Sequence, residues 1–467
     1  DSDNLLPGVV LDAAATEVRV ATASGDAVVV SGDGLKFAAR HLTDKVPAAQ
    51  RIRRGAVIRL TRDDKARWLI AQLPQAEAAF VAISPLDGTI LALTGGFDYE
   101  RNKFNHVTQA QRQPGSAFKP FIYSAALEKG FSPATVVNDA PFFVPAAQTG
   151  SEDWEPKNYD GKFEGPMRLR TALAKSKNLV TVRVLQAIGP HYAQDYVAKF
   201  GFDPRQHPAY LTMGLGAGSV TPVQMGGAYS VFANGGYRIS PYLIAKITDV
   251  KGNVLSQAEP PVAGETAERA IDPRNAFVMT TMLRDVVTRG TATRAQVLGR
   301  RDLAGKTGTT NENVDAWFCG FNAAIVGVAW IGFDQPKSLG ANETGALAAL
   351  PIWINFMQRT LKGVPETPLA VPDGLAPGDR ERAPHGKEAS REPPRAETAQ
   401  SLDAECDASQ RRRAPHRAHV NHDGAECPPV DGGPLHQRAD DLQVFGRDVL
   451  LHLVQAGLMF LDVGKNG

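Results

Sequence analysis

Three short motifs lie far apart along 467 residues but in a fixed order: Ser116-Ala117-Phe118-Lys119, Ser176-Lys177-Asn178 and Lys306-Thr307-Gly308. The first opens a helical pattern, the second follows one, and the third sits in a strand-like run. A fold that uses them together must bring a helix start, a post-helix corner and a strand to one place. Pro114-Gly115 interrupts the preceding structure, and Ser116 begins an apolar helical series through Phe118, Phe121, Ile122, Ala125 and Ala126, closed by Gly130. Pro120 is tolerable because its missing donor falls in the first turn. Three residues apart, Ser116 and Lys119 share a face, so the amine lies beside the hydroxyl.

A serine hydroxyl is a poor nucleophile until a base takes its proton. Lysine can be that base only when neutral, and burial or a second cation such as Lys306 lowers its pKa toward that state. Taken alone, a serine and a lysine at this spacing are more often a serine N-cap followed by a surface lysine. In the second motif, Ser176 would relay a proton through its hydroxyl and Asn178 would hold a substrate amide. Ser2-Asp3-Asn4 has the same pattern but lies upstream of the nucleophile at a terminus, which makes it a decoy. In the third, Lys306 with the hydroxyls of Thr307 and Thr309 is suited to a carboxylate, and Gly308 permits close approach to the strand. The backbone N–H of Thr309 would pair with that of Ser116 as an oxyanion hole. The plain alternative is an edge-strand lysine in a glycine-rich turn. Gly214-Leu215-Gly216-Ala217-Gly218 reads as a tight loop rather than a nucleotide site, because no strand-to-helix unit surrounds it.

The surrounding patterns predict an α+β protein in three segments: 1–75, 76–370 and 371–467. Up to about Leu73, short β-branched runs at 8–11, 18–20, 27–30, 56–60 and 68–70 are broken by Ser24-Gly25-Asp26 and Asp33-Gly34, as in a small OB-like β-barrel. With Trp68 nearly alone, no aromatic stacking platform is present, so a structural or partner-docking role is expected there. Phe80–Leu93 reads as two strands about Asp87-Gly88. Helical periodicity follows over 116–129, 169–188, 193–200, 221–233, 274–287 and 347–361, with strands at 304–310, 316–321 and 324–333. The first and last strands of the large segment should share one antiparallel sheet packed against a helical cluster.

Beyond about Leu375 the composition changes. Six of ten histidines, two of three cysteines, Arg411-Arg412-Arg413 and many prolines fall there, and apolar periodicity stops until near Leu442. A disordered tail is expected, with out-of-frame translation as a further hypothesis that resequencing around codon 375 would refute. Cys406, His416, His419, His422 and Cys427 match no zinc-ligand spacing, so no metal and no cofactor are expected. A net charge of +1 argues against nucleic acid or another polyanion as partner. The chain begins at Asp1 and has no apolar run of about 18 residues, which predicts neither signal peptide nor span, and a fragment of something longer.

From about Ala79 to Gly363 the chain resembles the transpeptidase domain of class A penicillin-binding proteins, most of all the bifunctional peptidoglycan synthases of Gram-negative bacteria. Beyond the three motifs, the likeness extends to Gln113-Pro114-Gly115-Ser116, the stretch Leu169–Asn178, Val220-Thr221-Pro222, Phe232–Gly236 and Pro351-Ile352-Trp353. The first 75 residues resemble the OB-like domain of that family, and no glycosyltransferase segment is present. By position, the resemblance implies Ser116 as acyl-ester nucleophile, Lys119 as general base, Ser176 and Asn178 as proton relay and donor-peptide contact, and Lys306, Thr307, Gly308 and Thr309 as the carboxylate site. It also implies peptidoglycan stem peptides and β-lactams as ligands, and a D-Ala-D-Ala transpeptidase or carboxypeptidase at the periplasmic face of the inner membrane, anchored by a segment outside this chain. An outer-membrane lipoprotein activator and self-association are further implied partners. A serine β-lactamase would share the motifs but needs a carboxylate to activate water, and no Glu follows Asn178 in such a loop. A β-lactam sensor would require a signalling domain, and none is visible.

Overall fold

The computed structural model describes residues 5–63, 65–149, 152–367 and 369–375. Ser2-Asp3-Asn4, the candidate zinc residues and the expected tail from residue 376 lie outside the described residues.

The N-terminal strands are β1 Leu6–Ala13, β2 Glu17–Thr22, β3 Ala27–Ser31, β4 Val57–Arg62 and β5 Trp68–Ala71. They form an antiparallel sheet in the order β3-β2-β1-β4-β5. Period-two alternation turns Val10, Val18, Val20, Val30, Leu60 and Ile70 onto one face, where they make their own core. One expectation needs correcting. Asp33-Gly34 is not a turn but the opening of a 3-10 helical segment, Gly32–Leu42, whose Leu35 and Ala38 enter that core.

The large sheet contains β6 Glu77–Ile83, β7 Ile90–Thr94, β12 Ala304–Thr309, β13 Asp315–Phe321 and β14 Val326–Gly332. Its order is β12-β13-β14-β6-β7, antiparallel throughout, so the early and late strands do share it. Every residue of β13 is buried, which is why its sequence runs apolar without alternating. Helices cover both faces. On one, α6 Pro222–Ala233 places the Tyr229 ring 6.3 Å from Phe321. On the other, Trp353 of α8 Leu350–Thr360 donates to Gly320 O at 3.1 Å and Phe356 meets Phe80 at 4.6 Å.

The remaining helices are α1 Lys119–Glu128, the single turn α2 Ala146–Thr149, α3 Leu169–Ala174, α4 Asn178–Ile188, α5 Pro190–Val197 and α7 Pro273–Arg289. Two strand pairs without a sequence signal join them: β8 Val136–Asp139 with β9 Gly165–Arg168, and β10 Lys246–Thr248 with β11 Val254–Gln257. The helix expected over 169–188 is two helices. Ser176 adopts φ +58, a left-handed conformation that no right-handed helix can pass through, and the chain turns a corner there.

Candidate active site

Lys306 lies opposite Cys319 in the β12–β13 register, on the face that α6 covers, so its side chain runs beneath the sheet edge and is fully buried. Lys119, the first residue of α1, is buried equally. Between the two amines stands Ser176. Its hydroxyl is 3.3 Å from Lys119 Nζ and 2.8 Å from Lys306 Nζ. Ser116 sits one turn ahead of Lys119 in the 3-10 turn Gly115–Phe118, half-exposed at the helix start. The three motifs therefore meet at one point, on a helix start, an inter-helix corner and an edge strand.

That meeting requires close approach of backbones. A Cβ on Gly308 would come within 2.4 Å of Pro114 O and 2.9 Å of Ala117 Cβ, so only glycine lets β12 lie against the segment that carries Ser116. The loop Gly214–Gly218 is packed just as tightly: a Cβ on Gly216, at φ +76, would strike Gly115 O at 2.1 Å. Gly216 serves this packing, whereas Gly218 lies against Gln206 and His207.

Lys119 donates to Ser176 O and to Asn178 Oδ1, each at 2.7 Å. Both acceptors lack hydrogens to give back, so they use two N–H groups, and a neutral Lys119 keeps a lone pair for a hydroxyl. Among the described residues no hydrogen bond joins Ser116 Oγ to Lys119 Nζ. The amine is held by the second motif rather than by the serine it neighbours. Burial, then the charge of Lys306, hold the Lys119 pKa well below the usual lysine value, with Asp139 opposing. Burial brings Lys306 down to about 7.

Asn178 Oδ1 is engaged with Lys119, and Nδ2 donates to Lys157 O at 2.8 Å, which leaves one amide hydrogen for a ligand. Thr309 Oγ1 accepts from Gly345 N at 3.0 Å and keeps its hydrogen. Thr309 itself lies against Gly115, the residue before Ser116. Thr307 is nearly buried and shares a 2.6 Å hydroxyl contact with Thr291. Ser116, Ser176, Asn178, Thr307 and Thr309 line one groove of about 890 Å³.

Several residues here belong to no sequence motif. Asn158 Oδ1 accepts from the N–H groups of Asn178 (2.9 Å) and Leu179 (3.3 Å), satisfying donors at the start of α4. Its Nδ2 donates to Asp139 Oδ1 and Lys162 O, each at 2.7 Å. Lys177, the middle residue of its motif, is buried among Asp139 (3.6 Å), Asp160 (3.2 Å) and Glu164 (2.9 Å). Burial works against its charge, yet bonds to Glu164 and Asp160 keep its pKa raised. These groups come from residues 139–164, where no periodicity marks them.

A hydroxyl at a helix start, a buried amine with a free lone pair and a cation beside threonine hydroxyls can together form and resolve an ester on a ligand that ends in a carboxylate. Comparison with known proteins points to the same chemistry. Residues 78–331, more than half of the chain, match the penicillin binding protein transpeptidase domain, and residues 1–76 match the penicillin-binding protein OB-like domain. Penicillin-binding protein 1A of Neisseria lactamica is 47% identical over 380 residues, 81% of this chain and 48% of that protein. This chain thus spans about half the length of that relative. The crystal structure of penicillin-binding protein 1A from Haemophilus influenzae matches with a TM-score of 0.73 and 34% identity, over 80% of this chain and 59% of that one. PonA1 from Mycobacterium tuberculosis in complex with penicillin V matches with a TM-score of 0.55 and 27% identity, over 65% of this chain and 82% of that one. The chain belongs to the penicillin-binding protein transpeptidase family and carries that family's OB-like domain ahead of it.

Proposed function

We propose that this chain is a serine D-Ala-D-Ala transpeptidase that cross-links peptidoglycan stem peptides through an ester on Ser116 and is acylated there by β-lactams. The observation that carries this reading is the Ser176 hydroxyl set between two buried lysine amines, 3.3 Å from Lys119 and 2.8 Å from Lys306. Neutral Lys119 takes the Ser116 proton as its oxygen attacks the D-Ala-D-Ala carbonyl. The backbone N–H groups of Ser116 and Thr309 receive the oxyanion. As the peptide C–N bond breaks, Ser176 passes its proton to the departing D-alanine amine and takes in return the one that Lys119 carries. Lys306, Thr307 and Thr309 hold the terminal carboxylate, Gly308 lets it approach, and Asn178 Nδ2 donates to the donor peptide. An amine from a second stem peptide then takes the acyl group and frees Ser116. The likeness to penicillin-binding protein 1A supports a setting at the periplasmic face of a bacterial inner membrane; an outer-membrane lipoprotein and a second copy are the partners proposed with it. Among the described residues no helix is long and apolar enough to cross a membrane.

The test pairs two assays on the purified chain. A stem pentapeptide ending in D-Ala-D-Ala, with an amine acceptor, is expected to release D-alanine and yield the joined product. Penicillin V is expected to leave one adduct, on the peptide that contains Ser116. Ser116→Ala should abolish both, and Lys119→Ala should slow acylation by about 10²–10⁴-fold with the fold intact. An adduct on Ser116→Ala would overturn the nucleophile. An adduct on the wild type without D-alanine release would favour a sensor over an enzyme.

A further inference from the structure

Thr291 belongs to none of the three motifs, yet it ties two of them together. It lies just past α7, and its backbone N–H donates to Ala174 O at 3.2 Å, at the end of α3 where the corner carrying Ser176 begins. Its hydroxyl lies 2.6 Å from Thr307 Oγ1 on β12, and its half-buried side chain faces the groove that holds Ser116. That contact is the only side-chain hydrogen bond of Thr307 among the described residues.

Two hydroxyls have two hydrogens, and the bond between them uses one. Either hydroxyl can be the donor in that bond. A carboxylate decides which. Being acceptor-only, a carboxylate on Thr307 must take the Thr307 hydrogen, and the 2.6 Å bond can then run only from Thr291 to Thr307. Each donor polarises the next, which strengthens the terminal bond to the anion. An uncharged ester at the same place draws less on this chain, because hydrogen bonds to charged groups are the stronger ones.

We propose that Thr291 is a positioning residue for anionic ligands, donating to Thr307 so that the Thr307 hydroxyl points its hydrogen at the ligand carboxylate. This rests on the assignment of Thr307 to the carboxylate site. Thr291 touches no reacting atom and acts through Thr307 alone, so its loss selects by ligand charge. A purely structural role would slow all ligands alike.

The experiment measures second-order acylation rate constants for penicillin V and for its methyl ester, on wild type, Thr291→Val, Thr291→Ser and Thr307→Val. Valine keeps the shape and removes the donor. With Thr291→Val, the free acid is expected to slow about five- to tenfold and the ester less than about twofold. Thr291→Ser should restore the acid rate, and Thr307→Val should split acid from ester at least as strongly. Equal slowing of acid and ester by Thr291→Val, or no slowing, while Thr307→Val still splits them, would overturn the inference and leave the carboxylate site standing. Failure of Thr307→Val to split them would overturn the carboxylate assignment, and the role of Thr291 with it.

Discussion

Two lysine amines buried within reach of one serine hydroxyl cannot both be charged without large cost, because each is out of water and repels the other. The site therefore divides the roles: Lys119, held well below the usual lysine value by burial and by Lys306, serves as the base, and Lys306, brought down to about 7 by burial, stands beside the threonine hydroxyls where an anion would lie. Acylation should rise with pH as Lys119 loses its proton and fall again as Lys306 loses its own, a bell-shaped profile of rate against pH for penicillin V. A profile without a rising limb would remove Lys119 as the titrating base. Stability carries the opposite imprint of the same burial. Between the lowered folded pKa and the ordinary lysine value, the unfolded chain binds more protons, so stability rises with pH from about 7 to about 10 and is least below that window. Lys306→Met should flatten this rise and shift the urea midpoint upward near pH 6, while slowing acylation. The lysines were legible as motif members in the sequence. That the donors of Lys119 go to Ser176 and Asn178, and not to Ser116, was not, since a helical spacing of three fixes a shared face but no partner.

At the scale of elements, the site depends on how helix ends are finished. The start of α4 takes its cap from Asn158, twenty residues upstream, and the same side chain reaches Asp139 on β8. Asn158→Ala should cost about 1 kcal/mol of stability by losing this cap, and it should also slow acylation by loosening Asn178 against Lys119. Thermal unfolding and penicillin labelling read the two effects separately. Unchanged labelling with lowered stability would reduce Asn158 to a structural cap. Periodicity foresaw most of the helices and all five strands of the large sheet, because the helices carry an apolar stripe and β6, β13 and β14, buried along nearly their whole length, read as continuous apolar runs. It ran 169–188 together because Lys175-Ser176-Lys177 has no Gly or Pro to stop a helix. The break comes from the left-handed turn at Ser176, which puts Lys177 among Asp139, Asp160 and Glu164. No local residue choice announces that.

At the scale of the molecule, apolar side chains among the described residues gather into two separate cores, a small one within the N-terminal sheet and a large one around the central sheet. Calorimetry of the chain is expected to show two transitions, with penicillin V shifting only the one that belongs to the core around Ser116. A single transition, or an equal shift of both, would mean that the cores unfold as one. The sequence by itself determined most of the elements, their hydrophobic faces and the residue types needed for acyl transfer, because these follow from periodicity and side-chain chemistry along the chain. Only the tertiary structure decided which groups the two buried amines meet, which side chain caps α4 and that Thr291 reaches Thr307. Those outcomes depend on burial and on distances of a few ångströms between groups from 16 to 130 residues apart, which no local pattern records.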